Sequence, residues 1–182
     1  MDATKVEQLR AELAEAQRLA QIDPLIQIWN RRAVIDILRR ELYRGQRERT
    51  RIGVLFVDVD HFKRTNDVYG HAVGDTVLCE VAVRIRATIR PYDHVGRYGG
   101  DELLVIVAGT GAERGAIRTA ERISSAMKSR TVMTEAGAVA VTVSIGVAVA
   151  DIDANDAEGL IVEADRAMYD AKRSGGDCVH SA

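Results

Sequence analysis

Two short acidic clusters are the residues of this 182-residue chain best suited to chemistry. The first reads Asp58-Val59-Asp60 and closes the apolar run Ile52-Gly53-Val54-Leu55-Phe56-Val57. The second reads Arg97-Tyr98-Gly99-Gly100-Asp101-Glu102 and precedes the apolar run Leu103 to Ala108. Alternation along a strand sends Asp58 and Asp60 to the same side. A Gly-Gly pair between two apolar stretches predicts a tight hairpin in which Gly99 and Gly100 both take positive φ. A strand ending in Asp-x-Asp beside a hairpin tip carrying Asp-Glu offers hard oxygen donors. That set suits Mg2+, which is held by a few carboxylates together with substrate phosphates. Taken alone, an isolated Gly-Gly-Asp-Glu is more often a solvated turn; the second acidic cluster shifts the balance.

The elements that must position these groups follow from periodicity. Helices are expected over about residues 30 to 47, 75 to 89, 112 to 128 and 157 to 173, with a short helical region after Asp60. Strands are expected at about 52 to 58, around 94 to 98, at 103 to 108 and near 177 to 179. From Val139 to Val149 the odd positions are all β-branched and the even positions all small, which is strand alternation with two different neighbours. The branched face is expected in the core, and the small face beside another layer or a ligand. Strands and helices interspersed with one hairpin predict an α/β fold with an antiparallel-rich central sheet flanked by helices.

Composition sets bounds. A hydrophobic fraction of 47% and a charged fraction of 29% fit one globular domain with a substantial core and an appendage. A net charge of -2 argues against a general nucleic-acid binder. Cys79, Cys178 and the four histidines lack zinc-ligand spacing, and a reduced cytoplasm is the expected compartment. No stretch has the length and apolarity of a membrane-spanning helix, so no membrane contact is expected. The glycines around Gly109 fit neither the dinucleotide fingerprint nor a phosphate loop. Residues 1–22 form an appendage with a sparse helical seam of Val6, Leu9, Leu13, Ala16 and Ala20. That seam suits a linker or dimerisation helix; the boundary at Asp23-Pro24 opens a domain over 23–182.

At four ordered sites the sequence resembles the GGDEF-domain diguanylate cyclases. The hairpin Gly99-Gly100-Asp101-Glu102 is the family signature, with Leu103 where Phe is usual. Asp58-x-Asp60-x-Phe62-Lys63-x-x-Asn66-Asp67 with Gly70-His71-x-x-Gly74-Asp75 resembles a second motif, and Ala164-Asp165-x-Ala167-Met168-Tyr169-x-Ala171-Lys172 a third. Asp23-Pro24-Leu25 with Asn30-Arg31-Arg32 resembles the domain entry. The resemblance implies a fold similar to the palm of nucleotide polymerases and class III nucleotide cyclases. It implies condensation of two GTP into cyclic di-GMP with release of pyrophosphate, across a homodimer, with Mg2+ or Mn2+ and often under an upstream sensory domain.

By the same resemblance Asp58, the Val59 carbonyl and Asp101 hold metal, and Asp101 or Glu102 helps take the attacking hydroxyl's proton. Phe62, Lys63, Asn66, His71, Asp75, Arg97, Gly99, Gly100 and Lys172 fall in the substrate-binding set. Asn66 and Asp75 are guanine readers within it, against the bland alternative that each caps a helix. Lys63 and Lys172, two of only four lysines, are implied to bind the triphosphate. Arg90 and Asp93 form the Arg-x-x-Asp pair of an inhibitory cyclic di-GMP site, which Arg118 or Arg122 would complete. The chain departs at Gly176-Asp177, where Arg-Asn is usual, and at Ile26-Gln27-Ile28, where Thr-Gly-Leu is usual. A phosphate contact is expected to be lost at Gly176, and Asp177 is expected to bring a like charge near GTP. The alternative from another class is a catalytically impaired domain that binds GTP or cyclic di-GMP as a receptor. A third option, a hybrid cyclase using ATP, is disfavoured by Asp75.

Overall fold

Every residue from Ile52 to Val59 is buried, which makes β1 (Arg51–Val59) the strand around which the sheet is built. The computed structural model describes residues 5–7, 21–110 and 113–182; of the N-terminal seam, Leu9, Leu13, Ala16 and Ala20 lie outside the described residues. After α1 (Arg31–Glu48) and β1 come α2 (Phe62–Tyr69) and α3 (His71–Thr88). The hairpin β2 (His94–Arg97) and β3 (Glu102–Thr110) follows, then α4 (Glu113–Lys128). Strands β4 (Val132–Thr134), β5 (Gly137–Val139) and β6 (Val143–Val149) precede α5 (Ala157–Arg173) and β7 (Val179–Ser181).

The five-stranded sheet has the order β2-β3-β1-β6-β7. β1 runs antiparallel to both β3 and β6, β2 antiparallel to β3, and β7 parallel to β6. Alternation along β1 assigns its side chains to two cores. Leu55, Val57 and Val59 pack with α3 and α4 on one face, and Val54 and Phe56 pack with α1 and α5 on the other. Asp58 shares the parity of Phe56 and so belongs to the α1/α5 face.

The small-residue face of β6 is met by a helix. At Gly146 an added Cβ would lie 1.9 Å from the Ala164 carbonyl oxygen and 2.2 Å from the Met168 nitrogen. The backbone of α5 thus rests directly on the strand. Lys172 stands one turn beyond Met168 on the same helix face, so the depth of this contact sets where its ammonium group reaches.

Three elements differ from the sequence expectation. The run from Val139 to Val149 splits, because Val139 pairs with Val132 in a separate two-stranded sheet and β6 begins only at Val143. Strands of three residues carry too little pattern to be read. The third helix begins at His71, ahead of the expected start at 75, with Gly70 at φ +87 as its cap. The last strand begins at Val179, since Gly175, Gly176 and Asp177 all have positive φ and form a loop.

Arg84 was not singled out by sequence. It is buried in α3, and its guanidinium donates to the carbonyls of Met127 at 2.7 Å, Arg130 at 2.8 Å and Thr131 at 3.2 Å. It thereby occupies orphan carbonyls at the end of α4, while Glu80 balances its charge at 2.9 Å.

Replacing Gly146 with valine drives a side chain into helix backbone that cannot yield without moving α5. The expected loss is upwards of about 3 kcal/mol, read as a lower urea midpoint at unchanged slope.

Candidate active site

Antiparallel register at the end of β1 places Asp58 opposite Glu102 on β3 and Ser144 on β6. Asp58 is 4% exposed. One of its oxygens, Oδ2, accepts from Lys172 Nζ at 2.7 Å, while Oδ1 is buried without a protein partner. Burial pushes the Asp58 carboxyl up to about 6, against the Lys172 bond and with the Asp101 and Glu102 charges adding to the rise. Glu102 is also raised, by burial first and then by the charges of Asp101 and Asp165. Burial disfavours the ionised form and neighbouring anions add to it. A group of acids held in this state gains by accepting a cation.

The hairpin tip is built differently from the expected tight turn. Neither Gly99 nor Gly100 has φ in the left-handed region. A longer connection is closed instead by the N–H groups of Tyr98 and Gly99, which donate to the Glu102 carbonyl at 2.8 and 3.2 Å. Gly99 lies close beside the Glu102 carboxylate: a Cβ there would lie 2.2 Å from Glu102 Oε2, which would have to swing aside. Arg97 donates to the carbonyls of Gly99 and Gly100 at 2.7 to 3.1 Å and pairs with Asp23 at 3.2 Å. Its guanidinium, expected among the substrate-binding groups, is engaged in holding the turn to the domain entry. Tyr98 fixes the tip from the other side, edge-on to Phe56 at 5.1 Å and beneath Arg31 at 4.4 Å. The Val59 N–H donates to the Asp101 carbonyl at 3.3 Å, which ties the hairpin to the end of β1 and brings Asp101 beside Asp58.

On the opposite side of the β1 terminus, α2 and α3 carry Phe62, Lys63, Asn66, His71 and Asp75. The helix bounds remove both capping alternatives. Asp75 is exposed within α3, since the helix starts at His71. Asn66 lies inside α2, whose N-cap position is His61. Its Oδ1 is buried without a partner and sits where a Cβ on Gly74 would come within 1.8 Å. Gly74 therefore lets α3 approach the Asn66 amide closely, with Phe62 packed alongside. Lys63 and His71 are exposed.

In the loop after α5, Asp177 does not stand as a free charge near the site. Its carboxylate pairs with Lys128 at 2.9 Å, so the expected like-charge penalty is offset within the protein. Gly176 has φ +77, a conformation that a side chain such as arginine adopts at a cost. Gln27, standing where glycine is usual, holds φ +53, in the left-handed region that glycine enters at least cost.

Arg90 and Asp93 are brought together by a turn that uses the acid itself. Asp93 is buried, and its two oxygens accept from the backbone N–H groups of Arg90 at 2.9 Å and Ala108 at 3.1 Å. Each Asp93 oxygen thus already accepts one backbone donor, which fixes the turn that carries Arg90. Arg90 remains available on the surface over Tyr92, and it lines a cavity of about 490 Å³ together with Arg118 and Arg122.

The donor set fits a hard divalent ion. Among the described residues no group of three or more His, Cys, Asp or Glu is placed to hold a metal ion by itself, but Mg2+ does not ask for one. It is held through one or two carboxylates with substrate phosphates completing the shell. The unpartnered Asp58 Oδ1 beside Asp101 meets that description.

Residues 20–178 match the family model described as Diguanylate cyclase, GGDEF domain. The chain belongs to this family. Diguanylate cyclase A of Treponema denticola is 39% identical over 131 residues, covering 72% of this chain and 35% of that protein. Diguanylate cyclase TpbB of Pseudomonas aeruginosa is 38% identical over 165 residues, covering 91% and 38%. The chain thus spans little more than a third of the length of these relatives. Among solved structures, the GGDEF domain of TpbB from Pseudomonas aeruginosa is 37% identical with a TM-score of 0.81, over 85% of this chain and 96% of that one. The coiled coil and GGDEF domain of DgcB from Caulobacter crescentus, in complex with c-di-GMP, is 32% identical with a TM-score of 0.90, over 98% and 94%. The GGDEF fold accounts for the mixed five-stranded sheet, and among the described residues no helix is long and apolar enough to cross a membrane.

The raised Asp58 carboxyl has a consequence for metal-free protein. A group protonated more readily in the folded state contributes stability that is complete below its unfolded value near 4 and is lost as pH rises through about 6. Stability of the metal-free chain is expected to fall across pH 4 to 6, with Glu102 adding in the same direction, and Asp58→Asn should remove most of that slope. Urea denaturation at half-unit pH steps reads it.

Proposed function

We propose that this GGDEF domain condenses two GTP into cyclic di-GMP and pyrophosphate, one nucleotide held by each of two chains. The observation that carries this reading is the buried Asp58, with one oxygen on Lys172 and the other unpartnered, set against Asp101 and Glu102 at the hairpin tip.

Asp58, the Val59 carbonyl and Asp101 would hold the ion. A bound divalent ion supplies neutralisation of the charge developing on the leaving pyrophosphate and acidifies the attacking hydroxyl. Lys172 and Lys63 bind triphosphate oxygens. Asn66 and Asp75 read guanine, the amide toward N3 and the amino group and the carboxylate toward N1–H and the exocyclic amine. Glu102 or Asp101 receives the 3′-hydroxyl proton as the oxygen bonds the partner nucleotide's α-phosphorus and the bond to pyrophosphate breaks. Burial raises the affinity of Glu102 for protons, which suits it to the acceptor role. A single site holding one GTP cannot close a two-fold product, so the active form is a homodimer, with the N-terminal segment as the joining element. Arg90, Arg118 and Arg122 line one cavity, and arginine can stack on and hydrogen-bond guanine, which supports feedback by product. The half-buried free thiols Cys79 and Cys178 suit a reducing cytoplasm.

Purified chain, stripped of bound nucleotide and incubated with GTP and Mg2+, is expected to yield cyclic di-GMP by chromatography, and Asp101→Ala to yield none. Absence of product from the unaltered chain, with GTP or cyclic di-GMP still bound, would identify a receptor. In a mixture of GTP and ATP, Asp75→Ser is expected to relax selectivity toward mixed purine products by about tenfold or more; unchanged selectivity would remove Asp75 from the guanine site.

A further inference from the structure

Asp60, the second acid of the Asp-x-Asp pair, accepts three hydrogen bonds from donors on two separate segments. Its Oδ2 accepts from Thr142 Oγ1 at 2.7 Å and from the Asp177 N–H at 2.9 Å, and its Oδ1 accepts from Ser144 Oγ at 2.6 Å. Ser144 is fully buried. The Asp60 N–H in turn donates to the Thr142 carbonyl at 3.0 Å. Gly176 packs against this carboxylate so closely that an added Cβ would lie 3.2 Å from Oδ1.

We propose that Asp60 is a positioning residue, a latch that fixes the loop Gly175 to Asp177 and through it the phosphate-binding end of α5. Two residues apart on one chain segment, Asp58 binds the Lys172 ammonium and Asp60 binds the Asp177 backbone. The pair therefore pins both sides of the turn that ends the helix. Asp60, His61, Lys172, Gly175 and Gly176 line a cavity of about 200 Å³, and the latch sets its floor. With all three donors already bound, the Asp60 carboxylate holds loop geometry and leaves ion binding to Asp58. The proposal rests on the GTP-binding reading above for its consequence, and on geometry for its mechanism.

The latch makes a distinction that a ligand role would not. An asparagine at 60 can turn its oxygen toward Thr142 and Asp177 and donate its amide to the Ser144 hydroxyl, which also accepts. Asp60→Ala removes the acceptor altogether. Amide hydrogen exchange at Asp177 and the Kd for a non-hydrolysable GTP analogue with Mg2+ are measured on both variants of the full chain. Asp60→Ala is expected to speed exchange at Asp177 and weaken the analogue about tenfold, and Asp60→Asn to restore both. Slow exchange with weakened binding in Asp60→Asn would show that the charge acts on the ligand, overturning the latch. Fast exchange in Asp60→Ala with unchanged affinity would overturn it equally. If Asp60→Ala does not fold, Ser144→Ala removes one donor and is expected to shift both readouts the same way by less; no shift in either refutes the proposal. Exchange is read without turnover, so an inactive domain would sink the cyclase reading and leave the latch separately testable.

Discussion

A carboxylate that must stay buried at the end of the central strand organises the site. Asp58 lies where alternation would place an apolar side chain against α1 and α5, and the structure meets its charge with a single ammonium group from Lys172. That pairing has two requirements. Helix α5 must lie deep enough on β6 for the lysine to reach, which Gly146 permits by lacking a side chain. The helix end must also be held still, which the loop carrying Asp177 and its contact with Asp60 provide. One oxygen of Asp58 is left over, and burial without a partner is a state that a bound cation relieves.

The hairpin meets the same constraint from the other side. Its tip is held by Arg97, whose guanidinium is shared between two turn carbonyls and Asp23, and by Tyr98 wedged between Phe56 and Arg31. Asp101 and Glu102 are thereby presented from a rigid support while remaining partly accessible. Burial, and after it the Asp101 charge, raises the affinity of Glu102 for protons, and rigid presentation of such acids suits electrostatic work on a bound ligand. The sheet and both helical layers contribute to this one corner, while the arginine-lined cavity sits beside α4.

Much of the architecture was legible because its signals are periodic. The apolar run before Asp58 and the amphipathic pattern of α5 each match an element within one or two residues, and the alternation from Val139 to Val149 matches β6 from Val143 onward. The prediction that the small face of β6 admits a close neighbour is met by α5. What was not legible depends on single atoms. Nothing in Gly-Gly reveals that a longer turn, closed on the Glu102 carbonyl, replaces the two left-handed glycines. Nothing in Arg-x-x-Asp reveals that Asp93 is occupied by backbone donors. Arg84 looks like an ordinary surface charge in sequence and Asp60 like a second metal donor, yet each is defined by partners that tertiary packing alone brings near.

The central claim is that Asp58 and Asp101 hold nucleotide through a shared divalent ion. The direct measurement is the affinity of a non-hydrolysable GTP analogue by calorimetry, with and without Mg2+, for the unaltered chain and for Asp58→Asn. The account predicts that Mg2+ strengthens binding strongly in the unaltered chain and scarcely at all in the variant. An equal gain from Mg2+ in both would place the ion elsewhere and contradict it.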